Sequence, residues 1–173
     1  MSIKYRIILL ASVFLATFMM GGFFLPSRIE VENEIILNKS PEEIYPALVN
    51  LQQWKSWSIW STRIDKTMQF EYPADNEVQW TAQHAGNGSL KITHAVKDSE
   101  LHTLLSVQEG KFELPGIIRL QIIDEQQTRV VWNNTIIIGN NPLKRYIGSS
   151  VESVVHRDIG ECLKGLEMFV KKR

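Results

Sequence analysis

The sequence predicts an α+β fold in which a curved antiparallel sheet of about seven strands wraps around a long C-terminal helix, preceded by one transmembrane helix. Three observations support this. Residues 7 to 25 carry no charge, apolar residues alternate with polar ones through the middle of the chain, and apolar residues return every three or four positions at its end. These patterns are typical of a membrane span, of half-buried strands and of an amphipathic helix.

The uncharged N-terminal run would form a helix of about 28 Å, which is close to the hydrocarbon thickness of a bilayer. Lys4 and Arg6 precede the run and Pro26 follows it. A cleaved signal peptide is the alternative interpretation, but residues 19–24 (MMGGFF) contain no A-x-A-like pair of small residues for a cleavage site. We therefore expect an uncleaved membrane anchor.

This anchor divides the chain into a transmembrane segment, residues 1–27, and one globular domain, residues 28–173. Basic residues at the N-terminus favour a cytoplasmic start. We therefore expect a single-pass protein of the cell membrane whose domain lies on the extracytoplasmic side and is monomeric.

The domain opens with a strand, because Ile29, Val31, Ile35 and Leu37 alternate with glutamates. A helix start follows, in which Ser40 can cap, Pro41 fits the first turn and Glu43 completes a capping box. Pro46 should keep this helix short. The next segment, residues 54–60 (WKSWSIW), is predicted to form a second short helix or turn.

Six further strands are predicted from alternating apolar residues between clusters of turn-forming residues. Their centres lie near residues 68–72, 78–82, 90–96, 101–107, 118–122 and 130–138. Pro115 and Gly116 are interpreted as a turn before the fifth of these. Such short and even spacing predicts an antiparallel meander.

The chain ends in a stretch with helical periodicity. Asn141 can cap it and Pro142 can start it, and nine apolar residues then recur at helical spacing. These residues are Leu143, Ile147, Val151, Val154, Val155, Ile159, Leu163, Leu166 and Val170. We expect one continuous helix of about eight turns, with a space for an apolar ligand between it and the concave face of the sheet.

Composition excludes several classes of function. A formal net charge of zero argues against nucleic-acid binding, and a single cysteine, Cys162, excludes an intrachain disulfide or a cysteine-rich metal site. The four histidines show no metal-ligand spacing, and the carboxylates are accounted for by helix starts, strand faces and helix-surface ion pairs. We expect no metal, no cofactor and no catalytic set.

The order of these motifs resembles the START-like helix-grip superfamily (SRPBCC), in particular its polyketide cyclase/dehydrase and lipid-transport branch. The resemblance covers residues 28–173. It rests on residues 38–44 (NKSPEEI), 54–60 (WKSWSIW), 86–92 (GNGSLKI), 128–132 (TRVVW) and the closing helix. It implies a fold and a cavity rather than a reaction, since that superfamily includes carriers, binders, cyclases and interaction modules.

Ten residues are candidates for lining the predicted cavity, on the basis of their strand faces and of the tryptophan-rich segment. They are Trp54, Trp57, Trp60, Trp80, Leu90, Ile92, His94, Leu105, Trp132 and Asn134. The three tryptophans of the segment can form an aromatic plug of the core or the wall of a pocket. Asn134 continues an apolar strand face, so a neighbouring backbone group or a ligand must satisfy its amide.

His94 shares the strand face of Leu90 and Ile92 and could act as an acid or base, although a structural role is the simpler interpretation. The favoured function is a membrane-anchored binding module for a small hydrophobic ligand or lipid. A polyketide-cyclase-like enzyme would need a buried acid or base, for which His94 is the one weak candidate. A protein-interaction module with a filled cavity is the third possibility.

Overall fold

The computed structural model describes residues 3–61, 64–107, 110 and 112–172. It confirms the predicted fold class, an antiparallel sheet with a long C-terminal helix behind an apolar N-terminal helix. The helices are α1 (Ile3–Phe24), α2 (Pro41–Val49), α3 (Leu51–Trp57), α4 (Pro142–Arg145) and α5 (Gly148–Val170). The strands are β1 (Arg28–Leu37), β2 (Gln69–Ala74), β3 (Glu77–Thr81), β4 (Gly88–Val96), β5 (Glu100–Val107), β6 (Phe112–Asp124) and β7 (Gln127–Ile137).

Helix α1 projects its apolar side chains outward. Phe14 is 74% exposed and Phe24 is 86% exposed, and the first buried residue along this helix is Gly22. By length and composition α1 can cross a membrane, a property that signal sequences share. All of the uncharged run except its last residue, Leu25, thus lies within α1.

Helix α2 begins as predicted, because the side chain of Glu43 accepts a hydrogen bond from the backbone N–H of Ser40 at 3.1 Å. The helix contains Pro46 and ends at Val49. Asn50 then starts α3 by accepting a hydrogen bond from the N–H of Gln52. This pair of short helices brings the tryptophan-rich segment against the sheet.

The seven strands form one antiparallel sheet in the order β1-β7-β6-β5-β4-β3-β2. Strands β2 to β7 are consecutive neighbours, as in a meander, and β1 closes the order by pairing with β7 from Arg28↔Ile137 to Leu37↔Thr128. Alternate residues of β7, including Val130, Trp132 and Ile136, are buried in the core.

The prediction of a turn at Pro115 and Gly116 is wrong, because both residues lie inside β6. Pairing of β6 with β7 begins at Gly116, so Pro115 has a strand partner on one side only, Leu104 of β5. A proline is tolerated at such an edge position because no second strand requires its missing N–H. Strand β6 therefore begins at Phe112, and its inward face gains Leu114.

The C-terminal helix is not continuous. Asn141 caps α4 as predicted, by accepting from the N–H groups of Leu143 and Lys144. The chain then turns at Tyr146 and Ile147 before α5 begins. A Cβ at Gly148 would lie 2.6 Å from the Ile138 side chain, so α5 begins in close contact with the end of the sheet. The apolar periodicity continues across the break between α4 and α5, so it predicted one helix. The close approach of Gly148 to the sheet depends on tertiary packing, which periodicity does not contain.

Helix α5 rests on β1 and, through its C-terminal half, on α2 and α3. A Cβ at Gly165 would lie 1.9 Å from the carbonyl oxygen of Trp57, so the helix and the end of α3 meet backbone to backbone. One turn earlier, the Sγ of Cys162 accepts a hydrogen bond from the N–H of Ile59 at 3.5 Å. These contacts fix the distance between α5 and α3.

We expect Gly165→Ala to lower the free energy of unfolding by about 2 kcal/mol or more, because a backbone carbonyl cannot rotate away from the added methyl group. The matched control is Gly160→Ala on the same helix, where the new Cβ would lie 3.4 Å from Asn33 Nδ2. The control should be neutral or stabilising by up to about 1 kcal/mol through helix propensity. Chemical unfolding, monitored by tryptophan fluorescence, measures the free energy of unfolding of both variants. Equal changes in the two variants would contradict the close contact between Gly165 and the Trp57 carbonyl.

Candidate functional site

A cleft of about 330 Å³ lies between the N-terminal half of α5 and strands β5 and β6. Most of the side chains that line it are apolar. The lining residues are Trp60, Leu105, Val107, Phe112, Leu114, Ser150, Val151, Val154, Val155, Asp158 and Ile159. The cleft therefore lies between the sheet and the last helix.

The wall on the sheet side follows from the strand register. Leu105 pairs with Leu114, and Val107 pairs with Phe112. In a strand every second side chain points to the same face, so these four residues present one apolar surface. Phe112 and Leu114 were missed in the sequence because the strand was taken to begin after Gly116.

The wall on the helix side is formed by residues at helical spacing. Val151, Val155 and Ile159 recur every four residues and therefore lie on one face of α5. On this face exposure rises toward the start of the helix, from 1% at Ile159 to 7% at Val155, and Val151 is half-buried. The cleft is thus closed in the middle of α5 and open near its N-terminus.

The tryptophans of residues 54–60 divide between two roles. Trp54 and Trp57 are buried, their rings lie 4.6 Å apart, and their Nε1 atoms donate to the carbonyls of Leu48 and Ala47. Trp54 also meets Trp132 edge to face at 5.6 Å. These rings fill the closed end of the core, whereas Trp60 is half-buried and lines the cleft.

The predicted residues on β3 and β4 lie in a packed part of the core. Trp80, Leu90 and Ile92 are buried. The gap that Trp80 and Leu90 share with Trp54 has a volume of about 10 Å³, which is room for about one water molecule at most. These residues close the core rather than line the open cleft.

Two residues along the strands from Leu105 and Leu114, a row of polar side chains crosses the same face of the sheet. This polar row consists of Thr103, Asn134 and the indole N–H of Trp132, which meet over Gly116. Thr103 pairs with Gly116, and Gly116 pairs with Asn134. A Cβ at Gly116 would lie 2.8 Å from Thr103 Oγ1, 2.8 Å from Asn134 Oδ1 and 3.1 Å from Trp132 Nε1. Only glycine lets these three polar side chains converge over the strand.

Two donors in this row have no hydrogen-bond partner among the described residues. They are Nε1 of Trp132 and Nδ2 of Asn134, and both side chains are almost fully buried, at 1% and 2% exposure. On β1, opposite Trp132, the Nδ2 of Asn33 donates to the carbonyl of His156 at 3.0 Å. Unpaired buried donors cost free energy, so this row is suited to receive an acceptor atom.

The expectation that His94 points into the cavity is wrong. The register of β4 with β5 shifts between Ile92 and His94, which moves His94 to the outer face, where it is exposed and meets His102 edge to face at 5.2 Å. The neighbours of His102 in the strand, Leu101 and Thr103, are buried, which shows that His102 points to the outer face. A bulge of this kind reverses the alternation that placed His94 inside.

One carboxylate organises two loops of the domain. Asp65 accepts hydrogen bonds from the side chain and N–H of Thr67 and from the N–H groups of His84 and Ala85. The side chain of Thr67, followed by these backbone donors, holds the pKa of Asp65 well below its usual range. Asp65 thus ties the chain after α3 to the β3–β4 turn, a role that the sequence did not indicate.

The ionisable groups of the cleft give little basis for catalysis. Asp158 is the ionisable side chain among the lining residues, and it is paired with Arg157 at 2.9 Å. Burial raises the pKa of the Cys162 thiol to about 12, so the reactive thiolate is not accessible at neutral pH. Within the described ranges, no group of three histidine, cysteine or carboxylate residues is arranged to hold a metal ion.

No family model and no curated protein matches the chain. Solved structures do match its fold. A conserved protein from Geobacillus kaustophilus has a TM-score of 0.62 at 14% identity, covering 83% of this chain and 96% of its own.

A Thermus thermophilus protein has a TM-score of 0.60 at 19% identity, covering 83% of this chain and 98% of its own. Ara h 8.0201 has a TM-score of 0.58 at 15% identity, covering 84% and 99%. At these identities the similarity concerns the fold alone, which is the helix-grip fold.

Proposed function

We propose that the protein is a membrane-anchored binding module that holds a small hydrophobic, lipid-soluble molecule in the cleft between α5 and strands β5 and β6. The observation that carries this proposal is the cleft itself, an apolar space of about 330 Å³ that opens beside Val154. Ligand sites in proteins typically have volumes of about 300 to 1,000 Å³ and are mainly apolar with a few polar groups. The cleft has both properties.

Its size favours a particular class of ligand. A volume near the lower end of the usual range fits a single chain or a small ring system better than a two-chain lipid. Apolar contact with Trp60, Leu114 and Val151 would provide the driving force, at about 25 cal/mol for each Å² removed from water.

The polar row gives this ligand a proposed orientation. An acceptor oxygen that passes over Leu105 and Leu114 toward Gly116 would meet the unpaired donors of Trp132 and Asn134. No lysine or arginine lines the cleft among the described residues, so a neutral carbonyl, ester or ether oxygen fits better than a carboxylate or phosphate. The ligand is therefore an apolar molecule with a neutral oxygen at its inner end.

The alternative functions have weaker support. A cyclase-like enzyme requires an acid or base in the cavity, and His94 lies outside it while Asp158 is held by Arg157. An interaction module with a filled cavity fits the packed side around Trp80, but not the open space beside Val151. The binding function is the one that uses the open cleft.

Helix α1 supplies the proposed anchor. A helix of 22 residues spans about 33 Å, which is enough for the hydrocarbon layer. We keep the extracytoplasmic placement of the domain as part of the proposal, on the basis of Lys4 and Arg6 at the start of α1.

Filling the cleft should weaken ligand binding without unfolding the protein. In Val151→Trp the larger side chain would occupy the space beside Trp60, and we expect the affinity for a fluorescent polyene fatty acid methyl ester to fall roughly tenfold or more. The matched control is Ser153→Trp, which adds the same ring two residues away at an exposed position outside the lining. Titration followed by the emission of the polyene measures both. Unchanged affinity in Val151→Trp would reject the cleft as the binding site.

The inner polar row should determine selectivity. Asn134→Leu removes one unpaired donor at similar volume, so we expect the preference for the methyl ester over a polyene hydrocarbon of the same length to fall by about 3- to 10-fold. Asn133→Leu, on the opposite face of β7, is the control. A loss of thermal stability in Asn134→Leu with an unchanged ratio of the two affinities would make Asn134 purely structural.

A further inference from the structure

The C-terminal end of α1 is held by α4 and the turn that follows it. Tyr146 donates a hydrogen bond from its hydroxyl to the carbonyl of Phe18 at 2.6 Å, and the two rings stack at 4.4 Å. A Cβ at Gly22 would lie 2.5 Å from the carbonyl oxygen of Pro142, so the two backbones touch. The anchor helix is therefore packed against the domain rather than joined to it by a free linker.

Arg145 completes this attachment. Its guanidinium donates to the carbonyls of Phe23 and Leu25 at 3.0 and 3.1 Å and to that of Gly139 at 3.1 Å. The last carbonyls of a helix lack partners within it, and a cation near them is favourable. One side chain thus joins the end of α1 to the end of the sheet.

The length of α1 decides where α4 must lie. The part of α1 that precedes the contact with α4, Ile3 to Thr17, spans about 22 Å, which is less than the ~30 Å of the hydrocarbon layer. If α1 spans the bilayer, the segment from Phe18 to Phe24 must also lie in or at the apolar layer. Helix α4, which touches this segment, then lies at the membrane surface.

The exposed side chains around α4 suit that position. Leu143 is 49% exposed, Ile147 is 58% exposed and Tyr146 is 37% exposed. Lys144 lies between them in the sequence and is exposed as well. Apolar side chains flanked by tyrosine and lysine are typical of a segment at the boundary between headgroups and acyl chains.

The cleft opens at the same end of the domain. Arg28, which follows α1 closely, pairs with Ile137 at the end of β7. Since Gly116 of β6 pairs with Asn134 of β7 in antiparallel register, the segment of β6 from Phe112 onward also begins at this end. Val151 and Val154 of the cleft follow Ile147 at helical spacing, within the first two turns of α5.

We propose that α4 and the Tyr146–Ile147 turn dock into the surface of the bilayer and hold the mouth of the cleft against it, so that the ligand enters from the leaflet without crossing water. This inference rests on the proposed function, because it takes α1 as a membrane anchor and the cleft as the binding site. It adds an interaction surface, with the acyl-chain boundary of the bilayer as the partner, and a route for the ligand.

Site-specific fluorescence in vesicles tests the docking. The full chain can be labelled at single introduced cysteines, because Cys162 is 0% exposed and burial raises the pKa of its thiol to about 12. Leu143→Cys and Ile147→Cys place a fluorophore on the proposed surface. Ile122→Cys, 70% exposed at the opposite end of the sheet, is the control.

After reconstitution into phosphatidylcholine vesicles and a carbonate wash, we expect labels at positions 143 and 147 to be quenched by lipids brominated in the upper acyl chain and shielded from aqueous iodide. The label at position 122 should be quenched by aqueous iodide and unaffected by the brominated lipids. Protein released by the wash would reject both the anchor and the docking. Retained protein whose labels at 143 and 147 respond to iodide alone would reject the docking and leave the anchor standing.

Uptake of ligand tests the route. Leu143→Glu/Ile147→Glu should slow the transfer of the polyene methyl ester from vesicles into the cleft by roughly tenfold or more, since charges in this layer hold the mouth away from the bilayer. The affinity measured in detergent solution should not change, because neither residue lines the cleft. Ile122→Glu is the matched control. Equal transfer rates in the wild type, the double variant and the control would overturn the proposed route. Failure of the wild type to bind the ester in detergent solution would instead overturn the binding function.

Discussion

The backbone contact between Gly165 and Trp57 is the constraint on which the rest of the domain depends. With no side chain at Gly165, α5 approaches the end of α3 until the helix backbone meets the Trp57 carbonyl. Leu163, Leu166 and Val170 then become buried, and α5 comes to rest on β1. A close-packed interior allows no large void on this side. The mainly apolar cleft lies toward the other end of the helix, between its N-terminal half and strands β5 and β6.

This arrangement gives the domain a closed end and an open end. Trp54, Trp57 and Trp132 pack as a cluster of rings at the closed end, where large aromatic groups bury the most surface. At the open end the core residues of α5 give way to the exposed Val154 and, beyond it, to Ile147 and Leu143. Apolar residues at helical spacing thus enter three environments along residues 143–170. The C-terminal ones pack in the core, the middle ones line the cleft, and the first ones form the proposed membrane contact.

Regular periodicity made most of the fold predictable. The seven strands, the capping box at Ser40 and Glu43 and the cap at Asn141 follow from local patterns whose physical basis is short-range. The departures have non-local causes. The bulge that turned His94 outward depends on how β4 pairs with β5, and the position of Pro115 within β6 depends on where pairing with β7 begins.

The site was predictable in location but only partly in composition. Trp60 and Leu105 are the two cleft-lining residues that the sequence had named, while Phe112 and Val151 line the cleft because of strand register and helix placement that no single segment specifies. The unpaired donors of Trp132 and Asn134 lie on the buried face of β7, where the alternation of that strand placed them. Whether a predicted cavity is open or packed depends on distances of a few ångströms between elements, and those distances are set by contacts such as that of Gly165.

The most direct test of the account is to map where a photoactivatable ligand attaches to the full chain in a bilayer. A fatty acid methyl ester carrying a diazirine would be dissolved in phosphatidylcholine vesicles that contain the protein, irradiated, and located by peptide mass spectrometry. If the ester occupies the cleft, adducts form on Phe112–Leu114 and on Val151–Ile159 in addition to those on α1, and the cleft adducts disappear when an unlabelled ester competes. Adducts confined to residues 3–24 would contradict the proposed site, because the ester would then contact the anchor alone and never occupy the cleft.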